Sequence, residues 1–188
     1  DTLKLACCGK ATTRLEVRID SPDPKTHAGE IVCRGANMML GYYKNPEATA
    51  QIIDVNGWLH TGDLGVMDEE GYVTVRGRSK NMLLTSSGQN IYPEEIESKL
   101  NNMPYVAESL IVLQHDKLVA LIYPDFDDAF AHGLQQNDIQ KAMEVNRVEL
   151  NQELPNYCQI SKIKIHFEEF EKTAKKSIKR FMYQEAKG

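Results

Sequence analysis

Apolar and polar residues alternate along Leu15-Glu16-Val17-Arg18-Ile19 and again along Tyr72-Val73-Thr74-Val75, the period of strands with one buried face. Ser21-Pro22-Asp23-Pro24 has turn chemistry, and Asp68-Glu69-Glu70-Gly71 predicts a hairpin turn between strands at 64–67 and 72–76. Asn45-Pro46-Glu47-Ala48-Thr49-Ala50 predicts a short helix: Asn45 can cap it, Pro46 suits its first turn and Glu47 favours its positive end. Short strands with frequent turns predict a small barrel or folded-over sheet for residues 1 to about 76.

The rhythm changes after that. Leu83-Leu84-Thr85 and Asn90-Ile91-Tyr92 flank Ser86-Ser87-Gly88-Gln89 as a hairpin would. Pro93 then opens a helix with Glu94 and Glu95 in its first turn and Ile96, Leu100 and Met103 at helical spacing. Two apolar strands, 109–113 and 118–123, surround a polar turn at 114–117. A helix is expected over about 137–153 with Ile139, Met143, Val148 and Leu150 as core candidates, then a strand over 162–167 and a helix over 177–184. The predicted fold class is α+β: a small β-rich, distorted barrel-like subdomain over 1–77, a boundary at 78–80, and a mixed α+β domain over 81–188.

Composition narrows the function classes. The 188 residues are 41% hydrophobic and 26% charged, ordinary values for a globular chain. A formal net charge of −5 gives no general basic field, so no nucleic-acid partner is expected. Basic residues gather locally at Lys172, Lys175, Lys176, Lys179 and Arg180. Cys7, Cys8, Cys33 and Cys158 fit neither a disulfide framework nor zinc spacing, which points to a reduced, cytoplasmic setting. The histidines are scattered, so no metal site is expected within the chain. No apolar run approaches the length of a membrane span. The opening Asp1-Thr2-Leu3-Lys4 has no initiator methionine, as expected of a chain cut from something longer.

Taken singly, the chemical candidates have bland readings. Thr61-Gly62-Asp63 is also an Asx-turn between strands, Trp58 a core residue, Arg78 and Lys80 solvated cations, and Ser86-Ser87-Gly88 a hairpin tip. Yet a carboxylate after a glycine turn, followed one hairpin later by an arginine, can hold a nucleotide. Asp63 can accept bonds from a ribose diol, and Arg78 can reach ribose or phosphate oxygens.

The order of the motifs is more informative than any one of them. Gly29-Glu30-Ile31-Val32-Cys33-Arg34-Gly35, Gly41-Tyr42-Tyr43, Pro46-Glu47-Ala48-Thr49 and Gly57-Trp58-Leu59-His60-Thr61-Gly62-Asp63 are followed by Gly71-Tyr72, Gly77-Arg78-Ser79-Lys80, Gly88 and Ile91 through Glu97. This series resembles the adenylate-forming (AMP-binding) enzymes: acyl-CoA synthetases, peptide-synthetase adenylation domains and firefly luciferases. The wording at 38–46, 87–97 and 178–181 is most similar to bacterial long-chain fatty acid–CoA ligases.

The resemblance implies roles. Asp63 would bind the ribose hydroxyls of ATP, Val75 would pack near the nucleotide and Arg78 would contact it. Lys80 would be the hinge of a C-terminal lid, and Gly88 would border the path of the CoA pantetheine arm. The family's last motif usually reads Pro-Lys/Arg-Thr-x-x-Gly-Lys-Ile-x-Arg. Aligned on Thr173, Ile178 and Arg180, this chain has Lys176 at the glycine and Ser177 at the catalytic lysine. Lys176 (or Lys175) is then the candidate lid cation, against a plain solvated helix start. Asn90 replaces an arginine that some relatives carry. A phosphate loop, the adenine and Mg²⁺ segment and the acid pocket are absent, which implies that they belong to a preceding part of the same polypeptide. The parent would join a fatty acid to CoA with ATP, the fragment alone being inactive, with room for peripheral membrane association of the full-length enzyme. The alternatives are an aryl-CoA or carrier-protein ligase, or a non-catalytic lid-like interaction module.

Overall fold

The computed structural model describes residues 4–184; the opening residues behind the expectation of a cut chain lie mostly outside it. The chain forms two compact units, Asp1–Lys80 and Asn81–Gly188.

In the first unit, strands β1 (Gly9–Lys10), β2 (Leu15–Asp20), β3 (Gly29–Gly35), β4 (Leu59–Met67) and β5 (Tyr72–Arg78) make one antiparallel sheet in the order β1-β5-β4-β3-β2. The sheet is open, with β1 and β2 at its edges, so of the small barrel or folded-over sheet expected here a closed barrel is not formed. Its core is small, with Ile19, Ile31 and Val73 packed together. Helix α1 (Pro46–Ile52) begins as expected: Asn45 Oδ1 accepts from the Ala48 N–H at 3.0 Å. Trp58 is buried, with the Arg18 and Arg34 guanidiniums 4.4 and 4.6 Å from its ring centre.

In the second unit, β6 (Leu83–Leu84) and β7 (Asn90–Ile91) form a short hairpin, and helix α2 (Pro93–Leu100) follows. Strands β8 (Val106–Gln114) and β9 (Lys117–Pro124) pair antiparallel. After helices α3 (Phe126–Ala131) and α4 (Gln136–Glu153), strand β10 (Ile160–Ile165) returns parallel to β9. The near-continuous apolar runs of β8 and β9 reflect burial on both faces. Ile111, Leu118, Ala120 and Ile122 pack with Ile96, Leu100, Ile139, Met143 and Leu150 of the helices. Leu110, Val112 and Val119 pack on Phe170, Ile178 and Tyr183.

Two expectations fail here. Val148 is exposed, and Asn146 takes its place on the buried stripe of α4, because its amide donates to the Pro104 carbonyl at 2.9 Å. No helix spans 177–184: Lys172 and Ile178 form an isolated bridge, and a single 3₁₀ turn covers Arg180–Met182. Among the described residues no helix is long and apolar enough to cross a membrane.

Candidate functional site

Asp63 and Arg78 face each other across β4 and β5, and Asp63 Oδ1 lies 2.8 Å from Arg78 Nε. The geometry begins one strand away. Between the pairs Val32↔His60 and Glu30↔Leu64 the register shifts, so residues 61–63 of β4 stand against Ile31 alone. The extra length is tied down by side chains. Thr61 Oγ1 donates to the Ile31 carbonyl at 2.7 Å and accepts from the Asp63 N–H at 3.1 Å. Glu30 reaches across: Oε1 accepts from the Gly62 N–H at 2.9 Å, and Oε2 is 2.7 Å from His60 Nδ1. Gly62 has φ of 73°, a left-handed conformation that suits glycine. Arg78 Nη1 adds a long bond to the Thr61 carbonyl at 3.4 Å.

The result is a carboxylate and a guanidinium aligned at the end of a hairpin, with Asp63 half-buried and 61% of the Arg78 side chain open to solvent. Such a pair can accept hydrogen bonds from hydroxyls and donate them to anionic oxygens. Val75 lies opposite Gly65 on β5, with an exposed side chain. Glu30 and His60 stand in quoted motifs, but nothing in the local sequence gave them a role. Glu30 meets Gly62 from 32 residues away, and only the strand register brings them together.

Lys80 lies in the 3₁₀ turn Ser79–Asn81, at the end of the first unit. Gly88 is at the exposed tip of the β6–β7 hairpin with φ of 79°, and a Cβ there would meet nothing within 4 Å. Its own fold therefore requires glycine through backbone conformation, not crowding. The tip is closed by the Gly88 N–H on the Thr85 carbonyl at 2.9 Å and the Gln89 N–H on Thr85 Oγ1 at 3.1 Å.

The basic cluster near the C-terminus sorts itself by pairing. Lys172 sits 2.8 Å from Glu108 and 3.3 Å from Glu169, and those hydrogen bonds raise its ammonium above the ordinary range. Lys179 lies 3.4 Å from Glu171. Arg180 is nearly buried against Glu97 and lies 3.9 Å from Glu94. Burial pushes the Glu97 carboxyl up, opposed by Arg180 and by the Ile111 N–H at 2.7 Å. Lys175 and Lys176 remain as exposed cations on a tight turn. The Lys176 N–H bonds the Thr173 carbonyl at 2.8 Å, the Thr173 N–H bonds the Ser177 carbonyl at 2.8 Å, and Lys176 has φ of 60°. A turn closed by a left-handed residue is a glycine position, occupied here by lysine.

The first unit thus carries the Asp63–Arg78 pair on an open antiparallel sheet, and the second is an α+β unit with a glycine hairpin and a basic turn. Residues 80–186 match the family described as the AMP-binding enzyme C-terminal domain, and the chain belongs to that family. A 2-methylpropanoate–CoA ligase of Humulus lupulus is 33% identical over 183 residues, covering 92% of this chain and 32% of that protein. A long-chain-fatty-acid–CoA ligase of Escherichia coli is 48% identical over 89 residues, covering 47% of this chain and 16% of that protein. The o-succinylbenzoate CoA synthetase of Bacillus subtilis, solved with its acyl-adenylate intermediate, superposes with a TM-score of 0.76 at 26% identity, covering 98% of this chain and 36% of that one. The chain thus spans about a third, or less, of the length of these relatives.

Proposed function

We propose that this chain is the C-terminal portion of an acid–CoA ligase that works through an acyl-adenylate. Residues 1–77 would close the large domain, 78–80 would be the hinge and 81–188 the mobile lid. In the first half-reaction a carboxylate oxygen of the acid attacks the α-phosphorus of ATP, and the bond to pyrophosphate breaks. In the second, the CoA sulfur attacks the acyl carbon, AMP leaves and the thiol proton goes to solvent or a base.

The observation that carries the reading is the Asp63–Arg78 pair, placed at the end of β5 just before the unit boundary. Asp63 would hold the ribose hydroxyls and Arg78 the nucleotide oxygens, with Val75 against the nucleotide. Lys176, or Lys175 beside it, would supply the lid cation during adenylation, because the other basic residues of that segment are held in ion pairs. Gly88 would border the CoA thiol's path once the lid has turned. Among the described residues no group of three or more His, Cys, Asp or Glu is placed to hold a metal.

The acid is proposed as fatty, on the motif wording at 38–46 and 87–97; the relatives acting on 2-methylpropanoate and 2-succinylbenzoate support a branched-chain or aryl acid as the second reading. A cytoplasmic setting is proposed on the four free cysteines. The test uses the longer ligase carrying this chain, assayed with palmitate, 2-methylpropanoate and 2-succinylbenzoate. Asp63→Ala is expected to raise the KM for ATP about ten- to a hundredfold, the worth of hydrogen bonds to a charged group, and to leave the KM for CoA unchanged. An unchanged ATP dependence rejects the nucleotide role of Asp63.

A further inference from the structure

The turn joining β8 to β9 places two residues other than glycine at positive φ. His115 and Asp116 have φ of 49° and 59°, the two left-handed positions of a tight hairpin loop where Asn-Gly is favoured. Side chains there carry a backbone cost that glycine avoids, and such an outlier asks for a compensating contact. Asp116 makes one. The Ser86 N–H donates to its Oδ1 at 2.9 Å, and the Ser86 hydroxyl donates to its Oδ2.

Ser86 opens the tip of the β6–β7 hairpin, whose strands contribute only two register pairs. A cleft of about 250 Å³ is lined by Thr85 and Ser87 of the tip together with Leu113, Asp116, Asn156 and Ser161. Residues 86–90 are exposed, and the link to Asp116 spans 30 residues of sequence.

We propose that Asp116 is a positioning residue, whose clamp on Ser86 sets where the hairpin tip carrying Gly88 stands. The Ser86 hydroxyl, and then its N–H, hold the Asp116 carboxyl below its ordinary range, as bonds that favour the anion must. The functional consequence rests on the reading of Gly88 as the border of the CoA path. A loosened tip slows attack by the thiol and leaves adenylation alone.

Amide hydrogen exchange in the 188-residue chain tests the clamp. Gly88 and Gln89 are the reporters, because their N–H groups bond Thr85 and not Asp116. Asp116→Gly relieves the positive φ of the turn while removing the carboxylate, so the fold is kept. Exchange at Gly88 and Gln89 is expected to rise about fivefold, with the β8–β9 ladder unchanged. Asp116→Asn keeps an oxygen for the Ser86 N–H and should fall in between. Reporter rates equal to those of the unmodified chain, or a uniform rise across the unit, overturn the clamp. In the longer ligase, Asp116→Gly should slow thioester formation from CoA and a supplied adenylate of palmitate, 2-methylpropanoate or 2-succinylbenzoate, whichever acid turns over, about fivefold relative to pyrophosphate exchange. A loosened tip with both half-reactions unchanged supports the clamp and overturns the role given to Gly88.

Discussion

Lys176 occupies a left-handed position, φ of 60°, that costs an L-residue about 1–2 kcal/mol and glycine almost nothing. Part of that gain is returned because glycine is freer in the unfolded chain. Lys176→Gly should therefore stabilise the chain by about 1 kcal/mol in urea titrations, while Lys176→Ala should not. If the ammonium also serves adenylation, both variants lose pyrophosphate exchange in the longer ligase and keep thioester formation from supplied adenylate. A stabilised Lys176→Gly with full exchange activity would move the role to Lys175. At this scale the candidate site was partly legible. Asp63 and Arg78 sit in short motifs, so their pairing could be expected, whereas Glu30, which fixes Gly62, acts from 32 residues away. Asp116, 30 residues from Ser86, was invisible for the same reason.

Turns and caps carry the acid sensitivity of the elements. Asp54 accepts from the Trp58 N–H at 2.8 Å and the Asn56 N–H at 2.9 Å, and those bonds hold its carboxyl below the ordinary 3.8. Hydrogen bonds do the same for Asp23, Asp68, Asp116 and Asp138. A carboxyl lowered in the fold contributes stability that is fully present above its unfolded value and lost as pH falls through its folded value. Glu97, raised by burial, works in the opposite sense but lies in the second unit, whereas Asp23, Asp54 and Asp68 share the first unit with Trp58. The urea midpoint followed by Trp58 should thus fall as pH drops below about 4, and fall less in Asp54→Asn, which keeps an acceptor but does not titrate. Identical slopes would show that this turn is not part of the acid response.

Periodicity made β2, β5, α1, α2 and the β8–β9 hairpin readable, because each buries one regular stripe or begins with a clear cap. It failed where distant contacts decide. Residues 177–184 look helical locally, but Arg180 is drawn to Glu97, and the Tyr183 ring packs edge-on against Phe170 at 5.1 Å. Helix α3 was missed although Asp125 caps it through the Asp128 N–H at 3.0 Å; at six residues it is too short to show a period.

At the scale of the whole chain, the two units differ in how much core they own. The first packs Ile19, Ile31 and Val73 in a small cluster, while the second buries both faces of β8 and β9 under helices and the C-terminal segment. Apolar burial dominates stability, so the first unit should unfold at lower denaturant. The chain carries its own reporters. Its single tryptophan, Trp58, is buried in the first unit, whereas among the described residues three of the four α-helices belong to the second. In urea, Trp58 fluorescence is expected to change first and the helical circular dichroism later, with midpoints about 1 M apart for a difference of about 2 kcal/mol. Lys80→Pro sits between the units and fixes one backbone angle there, so it should leave both midpoints in place. In the longer ligase the same substitution should hurt one half-reaction far more than the other if Lys80 is the proposed hinge, because a lid turning about it would be held near one of its two settings. Coincident midpoints would mean that the units unfold as one body, and equal loss in both half-reactions would place the pivot elsewhere.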